Sequence, residues 1–370
     1  PVLEHDLSGK TVLFPYWDTL ASPLVVANLQ RAGIDARLLE ENDAVIRKSM
    51  RMNTGQCIPV NAITLETIEY INRYHLDPAK TVLWMIRSGW ACNVGMYPHY
   101  IKSLLEAYGN GMEKVGVYPG EVTHMEISPL MSIHAYHAYL FGGLVRKLGC
   151  QIRPYEVVKG DTDKAIKAAI EIFKKSFTEK YSYLEAVKEA LVLFDGITFI
   201  KPSSPRPKVA IFGDVYMRDN DVMNQDLIHD IEAAGGEVIT TPYSEYVKII
   251  SSAFFEKCKK MRRYPELITL KPLLTAIELL ERKYSTHFKK YIGKQVSSRK
   301  WEFTRVLSQF NVRLVQGGES WENLLKIFYL LKEHPDISLF VQTNPTFCCP
   351  SLITEAMGRE IERVTGVPIV

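Results

Sequence analysis

No apolar run in this chain approaches the roughly 18 residues that a membrane span needs, so no membrane partner is expected. No block of Lys and Arg, no RNA-binding signature and no zinc-finger spacing occurs, and the formal net charge is only +3 over 370 residues. Nucleic acid is therefore not an expected partner. Cysteine is scarce: Cys57, Cys92, Cys150, Cys258, Cys348 and Cys349 are the only six. Such scattered thiols exclude a secreted disulfide scaffold and suit a reducing cytoplasm. Apart from the adjacent pair, no close Cys pair of the kind used by structural zinc is present. A G-x-x-x-x-G-K-[ST] loop is missing. So is an Asp-x-Gly-Ser/Thr loop. Neither a signal peptide nor a low-complexity segment is visible. The chain starts at Pro1 without an initiator Met, as a processed protein or one part of a longer protein would.

What is present reads as an α/β protein. Hydrophobic residues make up 46% and charged residues 24%, the proportions of a globular chain. "KTVLFPYW" leads through "SPLVVANLQRAGIDARLL" as strand, amphipathic helix, Gly33 and second strand. "PKVAIFGDVYM" and "VMNQDLIHDIEAAGGEVITTP" repeat that plan. "TVLWMI", a helix near Tyr100 to Gly109 and "KVGVYP" form another unit. "ISLFVQ", a helix from about Ser351 to Thr365 and "VPIV" form the last. Such units imply parallel sheets covered on both faces. The expected architecture is two Rossmann-like parallel-sheet domains with helical connections, facing a cleft. The first spans 1–200 and includes helices over Pro129 to Leu148, Thr162 to Lys175 and Tyr181 to Phe194. The second spans 201–370, with "KPSSPRPK" as linker and a basic, aromatic helical insertion or lid over about 251–310. The charge run "KCKKMRRYPE" reads as a solvated face.

The cysteines divide by setting. In open parallel sheets ligands bind beyond the carboxyl ends of the strands. Cys92 in "RSGWACNVGMY" and Cys348–Cys349 in "TNPTFCCPSL" follow strands and precede helices. Cys57 in "NTGQCIPVNAI" precedes a helix over about Val60 to Tyr74. A helix N-terminus favours thiolate over thiol and suits an anionic group. Cys150, at the entry to an apparent strand, and Cys258, in a polar helix, read as structural thiols. Three thiols from three loops suit a [4Fe–4S] cluster. They would equally suit core cysteines of an unrelated α/β protein. Tyr216 and Arg218, beyond the first strand of the second half, are weaker site candidates, with surface loop residues as the alternative. Arg153 and Glu156 suggest a structural clamp. His134 and His137 are three apart on one expected helix, with His124 nearby; a metal there would need a third ligand.

At these residues the sequence resembles the cluster-bearing subunits of 2-hydroxyacyl-CoA dehydratases and benzoyl-CoA reductases. It is more similar still to the C-terminal region of activase-related proteins (CoA-substrate-specific enzyme activases). "GQCIP" resembles a Cys-x-Pro loop, and "WACNVGMY" a Gly-Pro-Cys-Arg-x-Gly-x-Tyr loop. "RPYEVVKGDTD" resembles an Arg-Pro-Tyr-Glu segment, "GDVYMRDND" a Gly-Glu-x-Tyr-x-Arg opening, and "NPTFCCP" a Pro-x-x-Cys-x-Pro loop. The motifs occur in order and cover nearly the whole chain. This sequence departs from them at Trp90-Ala91, Asn93 and Asp214.

The resemblance implies a [4Fe–4S] cluster on Cys57, Cys92 and Cys348, with one iron left for another ligand. Aerobic preparation would lose it. A double-cubane cluster would need more thiols. Cys349 falls where relatives carry another residue, often Met or Asp, and is a neighbour of the cluster or an alternative ligand. The resemblance further implies an ATP-dependent activase as electron donor and an acyl-CoA substrate that loses its hydroxyl after one-electron reduction. A sister subunit is a further partner, and the chain would be a lyase or reductase component. Two rivals remain at this point. One is a non-catalytic relay or scaffold module of a large activase-related protein. The other is a two-domain small-molecule-binding protein without a cluster.

Overall fold

A computed structural model of the chain describes residues 2–52, 54–87, 92–179, 181–200, 204–293, 303–313 and 320–370. Trp90 and Ala91 of the second loop, and the first residues of the expected linker, lie outside the described residues.

Strand β1 (Thr11–Phe14) runs into helix α1 (Ala21–Arg31) and returns as β2 (Asp35–Leu38). Helix α2 (Ile58–Arg73) then leads to β3 (Thr81–Ile86), and α3 (Tyr97–Tyr108) to β4 (Gly116–Gly120). The four strands form one sheet in the order β2-β1-β3-β4, and every pairing is parallel. Val12, Leu13, Phe14, Leu83, Trp84 and Met85 are buried, as expected of parallel strands covered on both faces. The expected α/β architecture repeats in the second half. There β5 (Lys208–Gly213), α7 (Leu227–Ala233), β6 (Glu237–Ile239) and β7 (Ile337–Thr343) build a parallel sheet in the order β6-β5-β7. The final "VPIV" is too short to count as a strand: Ile369 makes a single parallel bridge to Phe340.

Between the sheets lie α4 (Pro129–Ile152), α5 (Asp161–Thr178) and α6 (Tyr183–Asp195). Ser128 caps α4 by accepting from the Met131 N–H, a standard way to satisfy an orphan donor. Helix α4 runs on to Ile152, so Cys150 lies within its last turn and not at the entry to a strand. The apolar pattern of "GGLVRKLGCQI" keeps one face buried and carries the helix past Gly149. Gly142 and Gly143 make two close approaches possible. A Cβ at Gly142 would stand 3.0 Å from the Ala21 backbone of α1, and one at Gly143 would stand 2.4 Å from Pro242.

Helices α8 (Tyr243–Lys260) and α9 (Tyr264–Ser285) open the expected insertion. It is not a lid confined to the second half. Ile277, Tyr284, Phe288, Tyr291 and Ile292 pack on the core that includes the first sheet, and Lys290 pairs with Asp195 at 2.6 Å. The run from Lys259 to Pro265 is exposed, whereas Cys258 is buried. Helix α10 (Ser320–Glu333) precedes β7. The last expected helix is two, α11 (Cys349–Ala356) and α12 (Gly358–Thr365), broken at Met357.

Arg153 does not pair with Glu156. Its guanidinium binds Asp163 of α5 at 2.8 Å and Glu232 of α7 at 3.0 Å, joining the middle helices to the second sheet unit. Glu156 instead accepts from the Gly160 and Thr162 N–H groups at the start of α5. That role suits a carboxylate at a helix N-terminus. His229 joins the same cluster. Hydrogen bonding to Asp163 is the main cause that lifts it from 6.5 to about 9. The stabilisation is full below pH 6.5 and is lost as pH rises through 9. The ring is partly exposed, so the expected size, after screening, is about 1 kcal/mol. Urea titrations at pH 6 and pH 10 should differ by that amount in the wild type and by less in His229→Gln.

Gly213 ends β5 against the backbone of β7. Its φ is +123°, and a Cβ there would stand 2.1 Å from the Thr343 carbonyl oxygen. Both facts demand glycine. Gly213→Ala should cost about 3 kcal/mol or more, measured as a lower urea midpoint with little change in slope.

Candidate functional site

The carboxyl ends of strands from both sheets line one pocket of about 250 Å³. Trp17 follows β1, Met85 and Ile86 close β3, and Val122 and Thr123 follow β4. Asp214 and Tyr216 follow β5, Tyr243 and Tyr246 follow β6, and Cys348 to Pro350 follow β7. This is the location that open parallel sheets give to ligands. A larger hollow of about 680 Å³ lies at the opposite ends of the first sheet's strands, among Lys10, Asp35 and Lys80. It contains no cysteine.

Cys57, Cys92, Cys348 and Cys349 all line the 250 Å³ pocket. Three of them occupy equivalent local positions. Cys57 is the N-cap residue of α2, Cys92 that of the 3₁₀ turn Asn93–Met96 leading into α3, and Cys348 that of α11. None of the three side chains caps its own helix, so the sulfurs are not committed to that task. Proline stands in the first turn of α2, α3 and α11, as Pro59, Pro98 and Pro350. There its missing N–H costs no helical bond. The local sequence thus starts a helix directly after Cys57 and Cys348, and starts α3 one 3₁₀ turn after Cys92. Cys150 and Cys258 are buried elsewhere, and none of the six forms a disulfide.

The environment of Cys57 corrects one expectation. Burial pushes its thiol up to about 12, and a hydrogen bond with the Tyr97 hydroxyl only partly opposes this. Desolvation outweighs the favourable helix end. Nearby Asp214 is buried and also raised by desolvation, while it caps the turn Val215–Arg218 through the N–H groups of Tyr216 and Met217.

Cys349 differs from its neighbour in being exposed. Phe347, just before the pair, has φ +67° and is itself exposed. Tyr216 lines the pocket and is buried rather than a surface loop residue. Arg218 is fully buried but is not among the lining residues. Its guanidinium pairs with Asp219 at 2.8 Å and sits 5.9 Å from the centre of the Tyr243 ring. The histidines take structural places. His134 Nδ1 shares a hydrogen bond with the Tyr183 hydroxyl, and His137 Nδ1 with the Ile133 carbonyl. His124 is fully buried, stacked 4.9 Å from Trp84, and lowered by burial to about 3, hence neutral.

Sequence reasoning missed the polar groups behind the pocket. The Tyr216 hydroxyl donates to Glu41 at 2.6 Å, and Asn220 donates to the other Glu41 oxygen at 2.9 Å. Burial lifts Glu41 to about 7. Fully buried Glu66 of α2 is held well above the carboxylate range by burial and by Glu41. Tyr246 donates to buried Glu322, four residues before buried Lys326. The available signals were a lone Glu on the apolar face of "IPVNAITLETI" and a Glu–Lys pair inside the apolar "WENLLKIF".

Among the described residues, no three His, Cys, Asp or Glu side chains converge as they would around a single metal ion. The chain matches no family model, and comparison with curated proteins returns no match. Among the described residues, no helix is long and apolar enough to cross a membrane.

Proposed function

We propose that the pocket carries a [4Fe–4S] cluster on Cys57, Cys92 and Cys348, and that the chain uses it for low-potential one-electron transfer of the 2-hydroxyacyl-CoA dehydratase type. One observation carries this reading: three thiols from three distant segments begin three helices and line one pocket. The donor set suits such a cluster, whose cysteines each bind a different iron and so need not crowd one point. Bound there, the cluster would supply a low-potential electron. The chain's own residues exclude water with an apolar wall of Trp17, Met85, Ile86 and Val122. Two helix starts, after Cys57 and Cys348, and the 3₁₀ turn after Cys92 adjoin the thiols, a favourable setting for a negative group. The levers on potential are burial and hydrogen bonds to sulfur, and Tyr97 is placed to give one to Cys57. An ATP-dependent activase as electron source, an acyl-CoA as acceptor and a sister subunit rest on the sequence resemblance.

A second reading is favoured by Cys349, the fourth thiol on the same pocket. If it occupies the remaining iron, the cluster is closed and serves as a relay module rather than a reducing centre. Anaerobic purification separates these readings from a cluster-free binding protein, because a colourless product without iron or sulfide removes both. Turnover of CoA thioesters with a reducing activase separates the first from the second.

A further inference from the structure

Two of the tyrosines on the pocket wall are held in the same manner. Tyr216, from the loop after β5, donates a hydrogen bond from its hydroxyl to buried Glu41 at 2.6 Å. Tyr246, from α8, does the same with Glu322 Oε2 at 2.5 Å. Glu322 is 3% exposed and lies in α10 among Leu324, Leu325 and Ile327, all buried. Lys326, 2% exposed, is one turn further on; its Nζ stands 4.4 Å from the centre of the Tyr246 ring and donates to the Gly213 carbonyl at 3.1 Å. Apolar residues of similar size would serve a core at least as well as buried ionisable groups, so this triad calls for a use. Clusters of buried titratable groups beside a pocket mark functional sites.

We propose that Tyr246 is the proton donor of the pocket, acting on a carbonyl or hydroxyl oxygen of an organic ligand, and that Glu322 behind it restores the proton. This deepens the functional reading above by naming the acid of the same site. It rests on the pocket being the place of chemistry, and not on the nature of the metal group. With Glu322 protonated, the carboxyl O–H donates to the Tyr246 oxygen and the Tyr246 O–H turns to the ligand. In the step, that Tyr246 O–H bond breaks and an O–H bond forms on the ligand. The Glu322 carboxyl O–H then breaks as the Tyr246 O–H re-forms. The net change is one proton moved from Glu322 to the ligand, with a carboxylate left facing the Lys326 ammonium. No electron is exchanged in it. Two physical features suit the parts. Burial lifts Glu322 to about 7, so it carries a proton near neutrality. A cation over the ring face eases loss of the phenolic proton. Glu41 behind Tyr216 is lifted to the same value by burial, and must be silenced to isolate Glu322.

Infrared pH-difference spectra of the full chain, carrying Glu41→Gln, should show a carboxyl C=O band that disappears with a midpoint near pH 7. Adding Glu322→Gln should remove the band, and adding Tyr246→Phe should shift it by removing the hydrogen bond. The couple is overturned if the band is absent, or if it survives both substitutions unchanged. Delivery into the pocket is read with 4-nitrophenol, whose ionisation is visible by absorbance. The wild type should bind it about tenfold more tightly than Tyr246→Phe, the worth of one good hydrogen bond. No binding, or equal binding, overturns delivery. The spectra need no iron, so a protein purified anaerobically without iron that still shows the band ends the cluster reading alone. An iron-bearing protein without the band ends this one alone.

Discussion

Anaerobically prepared Cys348→Ala is expected to bind iron more than about 100-fold more weakly than the wild type, since even outer partners of a metal site are worth 10- to 100-fold. Cys57→Ala and Cys92→Ala should behave alike. Cys258→Ala should keep its iron, because Cys258 is buried in α8 and does not line the pocket. Iron and sulfide counts with the visible absorption spectrum measure this. The comparison of Cys348 with Cys349 is the informative one. The two are adjacent and line the same pocket, but Cys348 is the buried N-cap residue and Cys349 the exposed first residue of α11. Retention of iron in Cys349→Ala together with its loss in Cys348→Ala would support the open, three-thiol arrangement. Equal losses would support the closed relay. Retention of iron by all three single variants at Cys57, Cys92 and Cys348 would end the assignment.

Arg146→Met should cost about 3–5 kcal/mol, the usual result of removing one partner from a buried ionic group. Arg146 is 4% exposed in α4 and bonds Asp18 after β1 at 3.1 Å, Asp221 at 3.1 Å and the Asp219 carbonyl at 2.8 Å. Asp18 and Asp219 are themselves buried. One guanidinium thus answers carboxylates from loops beyond both sheets, and its planar fork suits several at once. Methionine would fill the space but leave negative charges facing each other in a region of low dielectric. As a comparison, Arg47→Ala should change stability by less than about 0.5 kcal/mol, because its pair with Asp43 is exposed on both sides. Equal urea midpoints for the Arg146→Met and Arg47→Ala proteins would contradict this account.

The frame of the molecule was legible where periodicity is strong. The apolar runs at Thr11, Thr81, Lys208 and Ile337 are all strands of parallel sheets. The cysteines before helices were also legible, since Pro and the loop pattern mark each helix start. Arg153 misled because sequence proximity to Glu156 hid partners some ten and eighty residues away. The insertion misled because its basic surface says nothing about the apolar Tyr284 and Phe288, which pack on the first half. Glu41, Glu66 and Glu322 were invisible for a general reason. A glutamate reads as a solvated group until its neighbours in space are known, and its chemistry here is set by burial.

The wall of the pocket begins at Trp17 and is completed only at Pro350. A ribosome delivers the first of these long before the last, and chains are made at about 5–20 residues per second. Between the synthesis of Cys92 and that of Cys348 the emerging polypeptide therefore carries two of the pocket thiols and no chamber to hold them. The chamber can therefore close around a ligand only once its last wall segment, Cys348 to Pro350, has been made.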